Sequence, residues 1–466
     1  MKIRLLLLLL FWAGRVFAGD SIPAYWNLMV GSAFTENQSY SVLQKICDQA
    51  GGRLTGTQEN EAAQNILINA LEKLGMRPRR EYFEMPGWVR ADDEVWLLLP
   101  AKRRLRAVAL GYVQKTPPFQ ATAVFGFSGQ KSILDSLNVK NKIVLIGYRR
   151  PKKGHRPLRA QVIRFAAHRG AKAVLFINGK TGGLCLAGTS DFQGNPAPIP
   201  AFSISKEEGL RLKRLILSGQ AVRLKIVTRS YCKPVKTSNI VVTLPGKRKK
   251  KIVLGAHFDS WDLGQGSIDN GVGSAILFEV ARLIHRFHAR NAYTLEFVWF
   301  NGEELGLWGS KKYVQRHKNE DIVAMMNMDM TGRVTGFNVM GFDELLPFFR
   351  SLLPHLKGFH LTQALNNKPW TNSDHAPFML QGIPVITPNA HLDKEQATYY
   401  HSFGDTFDKV RADYLSQSAG IIAIVASELA NRTALHLKRY DKEEVKRLME
   451  KYGLDRILKS ENEWPF

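Results

Sequence analysis

The chain is predicted to be an α/β protein, with a mixed, mostly parallel sheet flanked by helices and interrupted by a β-rich insert. Three observations predict it. Apolar strand-like runs alternate with helical patterns late in the chain, a block of short strands between residues 116 and 232 has a texture of its own, and acidic and imidazole side chains stand at the ends of the later runs. Alternation of this kind implies a parallel or mixed sheet with helices on both faces. At 466 residues the chain exceeds what one core usually fills, so two packed units are expected.

Taken in order, Lys2 and Arg4 precede an apolar run from Leu5 to Trp12, and Val16-Phe17-Ala18 places small residues around a cleavage site. Residues 1–18 are therefore expected to be a secretory signal peptide. The run is shorter than the roughly 20 residues that span a bilayer. No later segment is long enough either, so a secreted or periplasmic protein without a membrane span is expected. Residues 19–39 are expected to be a leader. Residues 40–115 form the first part of the main domain, with a short helix at 40–50 and a turn at Gly51 to Gly56. Thr57 caps a helix whose apolar face carries Ala63, Ile66, Leu67, Ala70, Leu71 and Leu74, ended by Gly75. Strands follow near 80–83, 94–99 and 105–110.

Residues 116–232 read as a self-contained insert, with strands near 121–127, 142–148, 173–177 and 222–228 and a helix at 159–169. The main domain resumes over 233–437. Strands at 239–244 and 252–256 are expected to flank a solvated hairpin turn carrying the basic run Lys247 to Lys251. A helix at 272–287 and strands at 292–300 and 323–328 follow. Residues 438–466 are charged and helical in pattern, with no chemistry assigned.

The formal charge of +24 falls to +21 when Lys2, Arg4 and Arg15 leave with the signal segment. Such a surface attracts polyanions. The positive residues are scattered and no nucleic-acid motif is present, so a solvated basic surface is expected rather than a nucleic-acid partner. Cys47, Cys185 and Cys232 allow at most one disulfide and form no CxxC pair. They are expected to be separate, mostly buried thiols that serve neither as metal ligands nor as a nucleophile.

In open α/β sheets, ligands bind beyond the carboxyl ends of the strands. His257 follows the run at 252–256, Glu303 and Glu304 follow the run ending at Phe300 across Asn301-Gly302, and Asp329 follows Met328. Imidazole and carboxylate suit zinc, and catalytic zinc sites keep a position open for water. Two zinc ions about 3.5–4 Å apart can share a hydroxide and clamp the attacking and developing oxygens. That arrangement needs a bridging carboxylate, and Asp269 suits it, at a Gly-flanked turn opening a helix. Asp259 is placed to accept the other N–H of the His257 imidazole. One member of the Glu303-Glu304 pair can bind metal while its neighbour faces the water. His285, His288, His317, His355 and His360 are expected to be solvated.

The segments G-A-H-F-D-S-W-D-L-G-Q-G-S-I-D-N-G-V-G, W-F-N-G-E-E-L-G, N-M-D-M-T-G and Y-H-S-F-G-D-T together resemble the zinc-dependent aminopeptidase and carboxypeptidase family. The S-W-D-x-G-Q-G stretch resembles its carboxypeptidase Q branch. The likeness runs from about residue 40 to 430, with Gly52-Arg53-Leu54-Thr55-Gly56 similar to the family's entry signature. It implies the zinc exopeptidase fold, with the insert as a protease-associated domain. It also implies two zinc ions per chain, one held by His257 and Asp329, the other by Glu304 and His401, with Asp269 bridging. Glu303 would be the general base and Asp259 would orient His257. His401 enters only through this resemblance.

Ser373-Asp374-His375 also resembles a family segment, and Asp374 is a candidate substrate contact. Tyr399 and Tyr400 are candidates for stabilising an oxyanion. The function expected is that of an exported dizinc exopeptidase, aminopeptidase, carboxypeptidase or dipeptidase in type, acting on dipeptides or short peptides. Homodimer formation is left open. Two alternatives stand beside it: a receptor-like binding protein without catalysis, and glutaminyl cyclase-like amide chemistry on the same fold.

Overall fold

The computed structural model describes residues 23–149, 155–287, 291–432 and 437–466. The signal-like segment at 1–18 lies outside these residues. Among the described residues, no helix is long and apolar enough to cross a membrane.

Two eight-stranded sheets organise the chain. In the first the strand order is Arg79–Val89, Tyr231–Leu244, Tyr293–Phe300, Arg248–His257, Ile322–Asn327, Val385–His391, Arg333–Asn338 and Leu365–Asn366. Its centre is parallel: Arg248–His257 pairs in parallel with Tyr293–Phe300 and Ile322–Asn327, and the latter with Val385–His391. The flanks are antiparallel. These central strands read as continuous apolar runs because they are buried on both faces. Helices Val272–Phe287 and Ala412–Asn431 pack against each other and belong to the main core. Helix Gln58–Lys73 starts where Thr57 Oγ1 accepts the Asn60 N–H, as its sequence implies.

Four expectations change. The segment expected as a leader carries helix Ala24–Thr35, whose Trp26, Met29 and Ala33 are buried in the main core. Strands at Glu94–Leu99 and Ala107–Ala109, expected in the main domain, hydrogen-bond into the second sheet, the insert's own, against Arg223–Thr228 and Ala201–Ile204. The turn at Pro245-Gly246 does not close a hairpin, because Tyr293–Phe300 lies between the two strands it joins. Finally, His317 is buried rather than solvated.

The imidazole of His317 lies between Glu81, 3.1 Å from Nε2, and Glu320, 2.8 Å from Nδ1. With Glu296 these residues have a spacing that could suit a metal. The carboxylates already face cations, however: Arg316 on Glu81 at 3.2 Å, and Arg79 and Lys251 on Glu296, each at 2.6 Å. A compensated ion network, not a metal centre, is the physical reading. Burial pushes the Glu81 carboxyl up, but His317 and Arg79 outweigh it and pull it down to about 2. Burial pushes His317 down, and Glu81 and Glu320 raise it.

The signs fix a pH window. Glu81 stabilises the fold above about pH 4.5, and that contribution is lost as pH falls toward its folded value. His317 stabilises below about pH 6.5, and its contribution is lost as pH rises through its raised value. Glu81→Gln is therefore expected to flatten the fall in urea midpoint as pH drops below about 4.5. A slope identical to that of the wild-type protein would count against the network.

Candidate active site

Four chain segments converge at the carboxyl end of the parallel strands. Arg248–His257 ends on His257, Tyr293–Phe300 leads through Asn301-Gly302 to Glu303 and Glu304, and Ile322–Asn327 leads to Asp329. Loop residue His401 completes the set. Its φ of +58° lies in the left-handed region, uncommon for a residue with a Cβ and the kind of strain that clusters at functional sites.

His257 Nε2 lies 3.2 Å from Asp269 Oδ1 and 3.6 Å from Asp329 Oδ1. His401 Nε2 lies 2.8 Å from Asp269 Oδ2 and 3.2 Å from Glu304 Oε2. Two triads result, His257/Asp269/Asp329 and Asp269/Glu304/His401, each with candidate ligand atoms within 4.8 Å of one another. They share Asp269, whose two oxygens face different histidines. Glu304 Oε1 is buried without a hydrogen-bond partner.

The surroundings hold these groups still. Asp405 accepts hydrogen bonds from Ser267 Oγ at 2.8 Å, the Ile268 N–H at 2.7 Å and the Asp269 N–H at 3.1 Å, fixing the loop that presents Asp269. The fully buried guanidinium of Arg53 donates to the carbonyls of Phe258, Gln265 and Gly266. Thr55 Oγ1 accepts the Gly302 N–H at 2.8 Å, anchoring the turn before Glu303. The Gly52 to Gly56 signature is thus a clamp on two of the site's loops. Asp405 and Arg53 lie inside the quoted motifs, but composition and spacing gave neither a role.

Asp259 orients the site differently from expectation. The His257 Nδ1 contact is to the Asp259 main-chain carbonyl at 3.1 Å, while the carboxylate is 3.7 Å away. That carboxylate instead accepts the N–H groups of Glu303 at 3.2 Å and Glu304 at 3.4 Å. It orients the glutamate pair as much as the histidine.

The acids outnumber the imidazoles, and the electrostatics follow. Burial, reinforced by Glu304, Asp329 and Asp374 and opposed by His257, pushes Glu303 well above the carboxylate range. Burial raises Glu304 to about 7 against the pull of His401. At Asp269 the two histidines overcome burial and hold the carboxyl well below its usual value. Burial would lower His257, but Glu303, Asp259, Asp269 and Asp329 raise it well above its ordinary value.

A cavity of about 410 Å³ opens on this centre, lined by His257, Asp269, Glu303, Glu304, Asp329 and His401 on the main domain and by residues 158–160, Arg164 and 188–192 from the insert. Its size suits a small ligand. Tyr400 lines it, with its ring 4.8 Å from that of His401. Tyr399 does not; its ring lies under the Lys409 ammonium. Asp374 is fully buried, off the cavity wall, with both carboxylate oxygens unpartnered, and is raised to about 7 by burial. Direct substrate contact by Tyr399 or Asp374 therefore has no geometric support.

The insert docks through the Ser260-Trp261-Asp262 stretch. Trp261 lies in the insert's buried cluster, with Gly111 against its ring, and also packs edge-on against Trp88 of the first sheet at 6.4 Å and His401 at 6.3 Å, while Asp262 accepts Arg90 Nε at 2.7 Å. The C-terminal tail joins as well: Arg164 donates to the Ser460 carbonyl at 3.2 Å, and Glu463 pairs with both Gln193 and Lys311.

Residues 239–426 match the model of Peptidase family M28, and residues 109–212 match that of the PA domain. These matches support a metallo-exopeptidase in which a region similar to Peptidase family M28 is interrupted by one similar to the PA domain. Among individual proteins, the chain is 27% identical over 433 residues to carboxypeptidase Q of Bos taurus, covering 89% of each. Two solved structures share the fold. One is a Peptidase M28 precursor from Shewanella amazonensis, with TM-score 0.76, 23% identity, and coverage of 88% of this chain and 96% of that one. The other is BSAP, a zinc aminopeptidase from Bacillus subtilis, with TM-score 0.67, 21% identity, and coverage of 87% and 98%.

Proposed function

We propose that the protein is an exported dizinc exopeptidase acting on dipeptides or short peptides. The observation that carries the reading is Asp269, one carboxylate common to two ligand triads. The residues fit the metal. The donor set is imidazole and carboxylate, and the buried, partnerless Glu304 Oε1 calls for a cation. His257 and Asp329 would hold one zinc, Glu304 and His401 the other, and Asp269 would bridge.

Zinc bound there lowers the pKa of water toward neutrality and polarises a carbonyl. The chain's own residues do the rest. Glu303 takes the proton of the attacking water and delivers it to the leaving amine, a role suited to a carboxyl whose affinity for protons is raised. Asp259 fixes the main chain of both glutamates. Tyr400, which lines the cavity, would donate to the developing oxyanion. The PA domain and tail restrict the cavity to short substrates, and the insert on this reading spans about 90–230.

The test uses the exported protein, with its N-terminus read by mass spectrometry and expected at Gly19. Dipeptide hydrolysis should disappear with EDTA and return on adding zinc. Hydrolysis that survives complete metal removal would sink the proposal, and an N-terminus at Met1 would sink the exported part of it.

A further inference from the structure

We propose that Glu461, presented by the C-terminal tail, receives a basic side chain of the bound peptide, so that the cavity prefers dipeptides and short peptides carrying arginine or lysine. The inference rests on the peptidase reading above and adds a side-chain preference to it.

The tail is a fixed part of the cavity. Helix Leu454–Ser460 buries Leu454 and Leu458 in the main core, and Trp464 and Phe466 pack against the same core. Its end is tied to both domains: Arg164 donates to the Ser460 carbonyl, Gln193 Nε2 donates to the Glu461 carbonyl at 3.1 Å, and Lys311 pairs with Glu463. The Glu461 N–H is held by the Ile457 carbonyl at 3.0 Å. The Glu461 side chain is thereby set on the cavity wall, half-buried. Residue 461 lies outside both matched regions, 239–426 and 109–212, so neither match accounts for this acid.

Its carboxylate has no hydrogen bond or ion pair among the described residues. The cations around it are committed elsewhere: Arg164 lies 3.6 Å from Asp191, and Lys311 is on Glu463. Burial and Glu463 raise the carboxyl to about 7, with Lys311 opposing, and a cation seated beside it would favour the ionised form. The ligand acids Asp269, Glu304 and Asp329 are not among the groups that act on it, which sets it apart from the metal centre. The α-ammonium of a dipeptide stays one carbon from the scissile carbonyl, beside that centre. A guanidinium or ammonium carried on three or four methylenes reaches past it to the tail. An arginine side chain can also offer a carboxylate two parallel hydrogen bonds.

The experiment sets arginine against citrulline, its uncharged isostere, at each position of a dipeptide whose other residue is alanine. Hydrolysis of the four dipeptides is measured with the zinc-loaded wild-type, Glu461→Gln and Glu461→Lys proteins. Their binding is measured by calorimetry in the Glu303→Gln background with and without Glu461→Gln. A charged pair open to solvent is worth less than a dry one, so the wild-type protein should favour arginine over citrulline by about 5–10-fold in kcat/KM and in affinity at one of the two positions. Glu461→Gln should bring that ratio close to one, and Glu461→Lys should invert it. Equal treatment of arginine and citrulline at both positions by the wild-type protein, or a preference for arginine that survives in Glu461→Gln, would overturn the inference. A loss in Glu461→Gln of the same size on all four dipeptides would also overturn it, because it would mark a group that only holds the tail or reads the α-ammonium common to all. If no dipeptide is cleaved while arginine still binds preferentially through Glu461, the peptidase reading fails and this one stands. If all four are cleaved without preference, this one fails alone.

Discussion

Glu303→Gln is expected to lower kcat by about 10²–10⁴-fold, the usual worth of a positioned acid–base group, while zinc content and folding stay at wild-type levels. The amide keeps the shape of the carboxylate and removes its ability to accept a proton. Glu303 lies on the cavity wall, outside both ligand triads, with its main-chain N–H fixed on Asp259. Burial and the neighbouring acids Glu304, Asp329 and Asp374 favour its protonated form. Zinc would pull the other way, because a nearby cation stabilises the carboxylate. The buried Asp374, unpartnered and off the cavity wall, is one of the groups that keeps Glu303 basic enough to take a proton. Glu304→Gln supplies the control, since its side chain belongs to a triad and its loss should appear as lost metal. A Glu303→Gln protein with full activity would remove Glu303 from the proposed chemistry. One that loses its zinc would make it a ligand instead.

What could be read from the sequence follows what is local. The convergence of His257, Glu303, Glu304 and Asp329 was legible because each ends or closely follows a buried strand, and an apolar run followed by a polar group is a local pattern. His401 sits in a loop, 97 residues beyond Glu304 in chain numbering, and only a motif identifies it. Partnerships across the fold left no local trace. His317 looks like any exposed helix-end histidine until Glu81, 236 positions away, is folded against it. The strand Glu94–Leu99 has an ordinary strand pattern, but nothing within it says which sheet it joins. Ser260-Trp261-Asp262 is the reverse case: chemically bland in sequence, it is the joint where the insert meets the catalytic domain.

Asp269→Asn is expected to cost both metal positions together, and this separates a shared centre from two independent ones. Asp269 offers Oδ1 toward His257 and Oδ2 toward His401, so no rotation of an asparagine can present an oxygen to both sides. One side would meet an NH₂ group, a donor where a ligand is required. The loop itself should survive, because Asp405 holds it through the Ser267 hydroxyl and the main-chain N–H groups of Ile268 and Asp269, none of which belongs to the replaced carboxylate. The affinity loss should exceed the roughly 10–100-fold typical of losing an outer hydrogen-bonding partner, and should fall on both ions. Titration of the apo-protein with zinc, followed by elemental analysis, should then give about two tight sites in the wild-type protein and none in Asp269→Asn. Asp329→Asn, whose carboxylate belongs to one triad only, should weaken one site and leave the Glu304/His401 side occupied. An Asp269→Asn protein that kept one zinc at wild-type affinity would show that the two triads do not depend on a common bridge, and the proposed mechanism would reduce to a single-ion one.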